Sequence, residues 1–324
     1  MFLRIWPDDT HLNFMSARYI ALAASVTALL LSAIMLSSRG LNFGIDFAGG
    51  SVIEIVQPEG TTPDDIRAVV VPLDLGDVSI NSARGTGAAA EDLAVIRFET
   101  QVPAAGEDIE AAQQNANTRV REALGAAFPD VTVRSSAAVG PKVSGELFRS
   151  GITALLVALS LMMCYISLRF QWQYALGAVA ALFHDVLITM GVFALTGYEF
   201  NLATIAALLT IVGYSMNDTV IVFDRVREET RKYKKMELSK VIDLAINVTM
   251  SRTLLTSGTT LLALVSIFVF GGAVLRGMSF ALIFGVVIGT YSSIFVASAI
   301  LLFLGIDRGD KPKREVVGFQ GTVE

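Results

Sequence analysis

The stretch Ile211–Phe223, which reads IVGYSMNDTVIVF, places an aspartate, Asp218, inside an apolar run that is otherwise suited to a membrane-spanning helix. A carboxylate at the centre of such a helix costs about 2.5–3.5 kcal/mol on membrane-insertion scales, and more in simulations of isolated helices. A charge this costly is retained where it performs a function. Asp218 therefore predicts a proton carrier, a cation ligand or the partner of a buried base, and all three belong to transport.

The helix around Asp218 is one of five apolar blocks that together place the chain in a membrane. Hydrophobic residues make up 53% of the sequence and charged residues 17%, which argues against a soluble domain. The last block, Thr253–Leu304, is too long for one span and is divided at Gly271, Gly272 and Arg276. We therefore predict an α-helical integral membrane protein with six transmembrane helices. The predicted spans are Tyr19–Leu36, Ile152–Leu168, Tyr174–Leu195, Leu202–Val222, Leu254–Phe270 and Met278–Leu304.

Lysine and arginine collect in two places, the segment 225–252 between spans four and five and the tail 305–324. The positive-inside rule predicts that both are cytoplasmic, together with the N-terminal residues 1–18. Span one then covers 19–36, the hydrophilic segment 38–148 lies outside, and the remaining five spans occupy 151–304. The outer segment has eight basic and sixteen acidic residues, a net charge of −8. That charge argues against binding to nucleic acid.

The first span is open to two interpretations, an uncleaved anchor or a cleaved signal peptide. Its apolar run of about 18 residues is longer than the usual 7–15-residue core of a signal, and no small-x-small cleavage motif precedes the outer segment. An uncleaved anchor is therefore favoured. The only cysteine, Cys164, lies within the second span, so the outer domain is expected to fold without disulfides.

The outer segment reads as β-α-β-β-α-β, the order of a small ferredoxin-like α+β domain. Its first helix starts at Thr62, with Pro63 in the first turn, and its second is the amphipathic stretch Glu107–Phe128. A turn is predicted at Gly85–Ala90. The segment has no histidine, no cysteine and no phosphate-binding loop, so we expect it to engage a polypeptide or a partner domain. The predicted strands are Ser51–Val56, Val78–Ser82, Leu93–Phe98 and one that starts at Val131–Arg134.

A glycine-bearing segment, Asn42–Ser51, joins the first span to this domain. Gly44, Gly49, Gly50 and Asp46 within ten residues predict a tight junction with unusual backbone angles. The spacing does not fit a nucleotide-binding loop, and no helix follows it directly. A turn that seats the domain on the membrane part is therefore the expected role.

More polar residues lie within the spans near Asp218. Ser215 shares its face of the fourth helix, and Asn217 is its neighbour. On the fifth helix, Arg252 at the cytoplasmic edge is a candidate counter-charge for Asp218. The alternative is that Arg252 is one more positive-inside residue whose side chain extends to the interface. Threonines follow Arg252 at helical spacing, namely Thr256, Thr259 and Thr260.

The third span carries His184 and Asp185 near its middle. Successive residues on a helix point about 100° apart, so we do not expect both to face one site. They are either part of a proton relay or buried polar groups satisfied by neighbouring helices. No further metal ligands accompany them, and no nucleophile–base pair occurs at usable spacing. We therefore expect no metal, no cofactor and no enzymatic activity.

Several of these motifs, in the same order, are similar to those of the SecF proteins. SecF proteins belong to the SecD/SecF family of the resistance-nodulation-division superfamily, and the resemblance covers nearly the whole chain. The motifs are NFGIDFAGG at 42–50, VGPKV at 139–143, LFHD at 182–185, GYSMNDT at 213–219, DRVRE at 224–228 and SRTLLTSGTT at 251–260.

The resemblance implies a subunit of the bacterial inner membrane that pairs with SecD and works with the SecYEG translocon. It implies that the proton motive force is used to promote translocation of preproteins, with Asp218 and Arg252 in proton conduction. For Gly44, Gly49 and Gly50 it implies a structural role. Two alternatives stay open: a proton-coupled exporter of small molecules from the same superfamily, and a non-catalytic scaffold of the translocon.

Overall fold

Six long helices form the membrane part of the computed structural model, which describes residues 10–84, 92–103 and 108–306. Within these residues, six spans are long and apolar enough to cross a membrane, which confirms the predicted number. The last span changes from α-helical to π-helical geometry for six residues and then returns to α-helical geometry. The six are α1 (Arg18–Ser38), α5 (Pro141–Arg169), α6 (Trp172–Thr196), α7 (Leu202–Lys232), α8 (Leu238–Phe270), and a last span made of α9 (Gly272–Tyr291), a π-helical segment (Ser292–Ala297) and α10 (Ser298–Leu304).

The helices continue beyond the apolar blocks from which they were predicted. The basic segment 225–252, predicted as a loop, is helical except for residues 233–237, because α7 ends at Lys232 and α8 begins at Leu238. Ion pairs four residues apart stabilise this extension. Arg225 Nη2 lies 2.7 Å from Glu229 Oε1, and Lys232 Nζ lies 2.7 Å from Glu228 Oε1. Charged residues thus lengthen α7 past the region that hydropathy detects.

The central helices of the bundle are α6, α7 and the last span. More than half of their apolar windows are buried, compared with less than a fifth for α1, α5 and α8. Small residues on the last span allow it to approach α7 closely. A Cβ added to Gly289 would lie 3.0 Å from Ser215 Cβ, and one added to Gly285 would overlap Ile211. Asp218, on α7, therefore lies in the middle of the bundle.

The outer segment folds as an antiparallel four-stranded sheet in the order β3-β4-β2-β5. Two helices cover one face, and alternate strand residues such as Ile53 and Ile96 meet Val120 and Leu124 of the longer helix in the core. The predicted turn at 85–90 lies outside the described residues. The elements are α2 (Ile45–Ala48), β2 (Gly50–Val56), α3 (Pro63–Val70), β3 (Val78–Arg84), β4 (Asp92–Phe98), α4 (Ile109–Ala127) and β5 (Thr132–Val139).

A short parallel strand pair joins the outer domain to the membrane helices. β1 (Asn42–Phe43) follows α1, and β6 (Glu199–Phe200) lies between α6 and α7. Their register pairs Asn42 with Glu199 and Phe43 with Phe200. The chain that enters the outer domain is therefore bonded directly to the segment that precedes α7.

Candidate functional site

Asp218 is buried without a hydrogen-bond partner. Only 1% of the residue is exposed, and neither carboxylate oxygen has a partner in the part of the chain that the structure describes. The charge of Arg252, on α8, acts on Asp218 electrostatically. In the described part of the chain, the Asp218 carboxyl group and the Arg252 guanidinium form no direct ion pair. A buried carboxyl group that is near a cation but not bonded to it is suited to reversible protonation.

Four other predicted site residues lie close to Asp218 in sequence or on α8 but do not form a hydrogen bond with its carboxyl group. Ser215 donates a hydrogen bond to Asp185 on α6, at 2.6 Å. Asn217 is exposed on the outside of the bundle. Thr256 and Thr260 donate to carbonyl oxygens of their own helix, at 3.0 Å to Arg252 and 2.8 Å to Thr256. The structure therefore leaves Asp218 and Arg252 as the pair at this site.

The inward face of α8 carries different polar residues from those predicted. Thr253 and Ser257 are buried, and Ser257 Oγ lies 2.8 Å from Thr290 Oγ1 of the last span. The Thr253 hydroxyl has no partner among the described residues. The signal that identifies this face is the spacing of buried apolar residues earlier on α8, such as Ile246 and Met250, which continues to Thr253 and Ser257.

A second polar cluster surrounds Asp185, which is 1% exposed. Its Oδ2 atom accepts hydrogen bonds from Ser215 at 2.6 Å and from Ser292 at 2.7 Å. Its Oδ1 atom lies 2.9 Å from His184 Nδ1. The two neighbours therefore do meet, contrary to the expectation from helical spacing, because side-chain torsions overcome the separation of their Cβ directions. The role of Ser292 was not predicted, since a serine in an apolar span gives no specific signal.

The junction motif bonds to the start of α7. Asp46 Oδ2 accepts a hydrogen bond from the Leu202 amide at 2.9 Å, in the first turn of that helix. Asn42 Nδ2 donates to the Gly197 carbonyl at 2.9 Å, and the Gly44 amide donates to the Phe200 carbonyl at 3.0 Å. The motif therefore holds the N-terminal end of the helix that carries Asp218.

The glycines of the motif meet two different requirements. Gly49 and Gly50 have φ angles of 74° and 105°, which side-chain-bearing residues rarely adopt. Gly44 has an ordinary φ angle, but a Cβ there would overlap the side chain of Glu199. The predicted unusual angles thus occur at the paired glycines, and Gly44 permits close approach.

An ion pair connects the outer domain to the membrane part. Arg97 on β4 contacts Glu199 on β6 across a cleft of about 460 Å³ between the uncovered face of the sheet and the outer ends of the helices. Burial lowers the pKa of the Arg97 guanidinium, and the nearby Glu54 carboxylate opposes that shift. The pairing was not predicted, because 102 residues separate its members.

Six apolar helices, a buried acid in the fourth and an α+β domain between the first two define a multi-pass membrane protein. Residues 119–307 match the family described as protein export membrane protein SecD/SecF, C-terminal, and residues 34–56 match the SecD/SecF GG motif. The chain belongs to the SecD/SecF family.

The relatives of the chain include separate subunits and longer fused proteins. It is 47% identical to the protein translocase subunit SecF of Cereibacter sphaeroides over 98% of this chain and 97% of that protein. It is 39% identical to the protein translocase subunit SecDF of Brucella abortus over 97% of this chain but 40% of that protein. The crystal structure of SecDF from Thermus thermophilus matches with a TM-score of 0.81 and 32% identity, over 93% of this chain and 39% of that one. The chain thus spans about two fifths of the SecDF proteins that it matches.

Proposed function

We propose that this chain is the SecF subunit of the Sec translocase accessory complex and uses the proton motive force to promote preprotein translocation. The observation that carries the proposal is the buried, unbonded carboxyl group of Asp218 beside the charge of Arg252. Full-length similarity to translocase subunits named SecF supports the assignment.

The proposed partners are SecD, the SecYEG translocon and the translocating preprotein. In SecDF relatives and in the matching SecDF structure, a region similar to this chain is part of a chain more than twice as long. We infer that a separate SecD chain supplies the remainder here. The outward faces of α1, α5 and α8, which are largely unburied, offer surfaces for that chain and for lipid.

We place the protein in the bacterial inner membrane with both termini in the cytoplasm and the outer domain in the periplasm. The support is the concentration of lysine and arginine around the end of α7 and after the last span. We assign the outer domain to the ferredoxin-like class. Its β-α-β-β-α-β element order and its β3-β4-β2-β5 sheet order support that assignment.

The proposed mechanism begins with a proton on Asp218. When α7 and α8 separate, the attraction of Arg252 for an ionised Asp218 weakens and the carboxyl group takes up a proton. When they approach, Arg252 favours release. One charge that crosses the membrane field is worth about 2.3 kcal/mol per 100 mV. That free energy changes a two-state equilibrium about 50-fold, which is enough to bias the position of α7.

The junction motif is the proposed link from α7 to the outer domain. Asp218 lies sixteen residues after Leu202, a distance of roughly 24 Å along the helix. At the N-terminal end of α7, Asp46 accepts a hydrogen bond from Leu202, and β6 pairs with β1, the strand through which the chain enters the outer domain. A displacement of α7 would therefore move the outer domain, and the contact between Arg97 and Glu199 would report its position.

The test is preprotein export into inverted membrane vesicles that contain this chain and SecD, with and without a proton gradient. We expect the gradient to stimulate export with the wild type and not with Asp218→Asn. Asp224→Asn is the matched control, because Asp224 is an acid on the same helix that pairs with Arg169 at 3.2 Å on the exposed surface. An equal response of Asp218→Asn and the wild type would favour the scaffold alternative.

A further inference from the structure

The polar cluster around Asp185 is closed to solvent and draws on three helices. His184 and Asp185 belong to α6, Ser215 belongs to α7, and Ser292 belongs to the last span, and at most 3% of each residue is exposed. Polar groups this deep in a helix bundle are costly unless they are bonded or functional. The hydroxyl groups and the carboxylate satisfy one another, but the imidazole is only half satisfied.

One arrangement of protons satisfies the hydrogen bonds of the cluster. Asp185 accepts from two hydroxyl groups and faces His184 Nδ1, so an ionised carboxylate with a proton on Nδ1 satisfies every contact. His184 Nε2 then has a free lone pair. This atom is buried and has no partner among the described residues. A proton that binds there forms an imidazolium group beside its own counter-ion, Asp185.

Ser215 connects this cluster to Asp218. Its hydroxyl lies 2.6 Å from Asp185, and it precedes Asp218 by three residues, which places both on one face of α7. Residues three apart on a helix have Cβ atoms about 5–6 Å apart, so Ser215 is the side chain that links the two carboxyl groups. Like charges repel, so a negative charge on Asp185 opposes ionisation of Asp218.

Ser292 connects the cluster to a change of winding in the last span. It is the first residue of the π-helical segment Ser292–Ala297, and its hydroxyl can donate either to Asp185 at 2.7 Å or to the Gly289 carbonyl at 3.1 Å. π-Helical turns inside α-helices are frequent at functional sites. The charge on the His184–Asp185 pair therefore acts on the point where the last span departs from α-helical geometry.

Few other charged or titratable groups face the pair. Asp218 is on α7 and Arg252 is on α8, and Tyr291 of the last span places its ring 6.2 Å from the imidazole. The Tyr291 hydroxyl bonds to α1, 2.7 Å from the Ala21 carbonyl and 3.0 Å from Ser25. The charged residues of α1 and α5 lie towards the helix ends. Asp218 and Arg252 are the described groups on α7 and α8 whose charge the pair is proposed to influence.

We propose that His184 and Asp185 form a second proton-binding site, which accepts its proton at His184 Nε2 and is coupled to Asp218 through Ser215. The proposal rests on the proposed function, because it assumes that Asp218 binds a proton. A proton on the pair cancels the negative charge of Asp185 and so favours release of the proton from Asp218. The His184–Asp185 pair thus controls when Asp218 releases its proton, and Asp218 remains the proton carrier.

The test measures the protonation of Asp218 directly, without export. Dicyclohexylcarbodiimide reacts with protonated carboxyl groups in membranes, and mass spectrometry of the peptide that contains Asp218 gives the labelled fraction at each pH. In membranes that contain this chain and SecD, we expect Asp185→Asn to move the labelling midpoint to lower pH, because removal of a negative charge weakens proton binding at Asp218. Thr189→Ala should leave the midpoint unchanged, since the buried Thr189 hydroxyl donates to the Asp185 backbone carbonyl, at 2.7 Å, and carries no charge.

A second variant addresses the imidazole itself and guards against poor folding of Asp185→Asn. His184→Gln keeps a donor for Asp185 but removes the free nitrogen, so the broad titration of two coupled sites should narrow to a single step. An unchanged midpoint in Asp185→Asn, or an unchanged titration width in His184→Gln, would overturn the coupling and leave the proposed function intact. Absence of labelling at Asp218 in the wild type at every pH would overturn both.

Discussion

The ion pair between Arg97 and Glu199 predicts how firmly the outer domain is held on the membrane helices. The pair joins β4 of the outer domain to β6 between α6 and α7, and its side chains are 22% and 25% exposed. Breaking a fully buried pair costs about 3–5 kcal/mol, whereas an exposed pair is worth about 0–1 kcal/mol. For this partly solvated pair we expect Glu199→Gln to cost about 1–2 kcal/mol of docking free energy. The undocked population should therefore rise about 5- to 30-fold.

Pulsed electron paramagnetic resonance can measure that population. Spin labels at Arg121→Cys, on the exposed side of α4, and Phe270→Cys, at the outer end of α8, report the distance in a Cys164→Ser background. The double variant Arg97→Gln/Glu199→Gln should have the same undocked population as the single variants. Two side chains that stabilise docking only through their mutual contact give effects that do not add. Asp64→Asn, which breaks an exposed pair on α3, is the control and should have no effect. An unchanged distance distribution in Glu199→Gln would refute the reasoning.

Three further predictions concern the junction, the helix bundle and the outer domain. Asp46→Ala removes the acceptor of the Leu202 amide and should raise hydrogen exchange at residues 202–205 about 5-fold, for a loss of about 1 kcal/mol; unchanged exchange would contradict a capping role. Gly289→Leu should lower the midpoint of thermal unfolding in detergent, because overpacking costs about 1–3 kcal/mol. Gly213→Ala should not lower it, since a Cβ at that position has no atom within 4 Å. Equal midpoints for Gly289→Leu and the wild type would exclude close packing at Gly289. Thr62→Ala should destabilise the outer domain by about 1 kcal/mol in urea titrations. Hydrogen bonds from Thr62 lower the pKa of Asp65 below 3.8. The stability that comes from these bonds is therefore present at neutral pH and is lost as the pH falls from about 4 through the lowered pKa. If the stability of Thr62→Ala had the same dependence on acidic pH as that of the wild type, this explanation would be contradicted.

Local patterns predicted the elements of this protein well. Asp218 in an apolar run, the capping sequence that begins at Thr62 and the run of β-branched residues around Ile53 are all short-range signals, and each corresponds to an observed feature. Hydropathy failed at the ends of the helices. Glu228 and Glu229 extend α7 by bonding to basic residues one turn away, and a hydropathy scale treats the same charges as the end of the span.

The contacts that define the sites were harder to predict. Both faces of α8 carry threonine, so residue type alone does not distinguish the buried Thr253 from the half-buried Thr256, and only the spacing from Ile246 and Met250 does. Ser215 shares a face with Asp218, yet its hydroxyl bonds to Asp185, because α6 supplies the nearer acceptor. The partner of Arg97 lies on a distant segment, and a periodic pattern holds no information about which segments meet. Such contacts follow from tertiary packing alone.

Proton flux is the most direct test of the claim that Asp218 carries the proton. Proteoliposomes that contain this chain and SecD, with a pH-sensitive dye inside, would be given an imposed gradient. We predict measurable flux with the wild type and with Asp224→Asn, and background flux with Asp218→Asn. Equal flux in the wild type and Asp218→Asn would show that protons do not pass through Asp218 and would contradict the proposed mechanism.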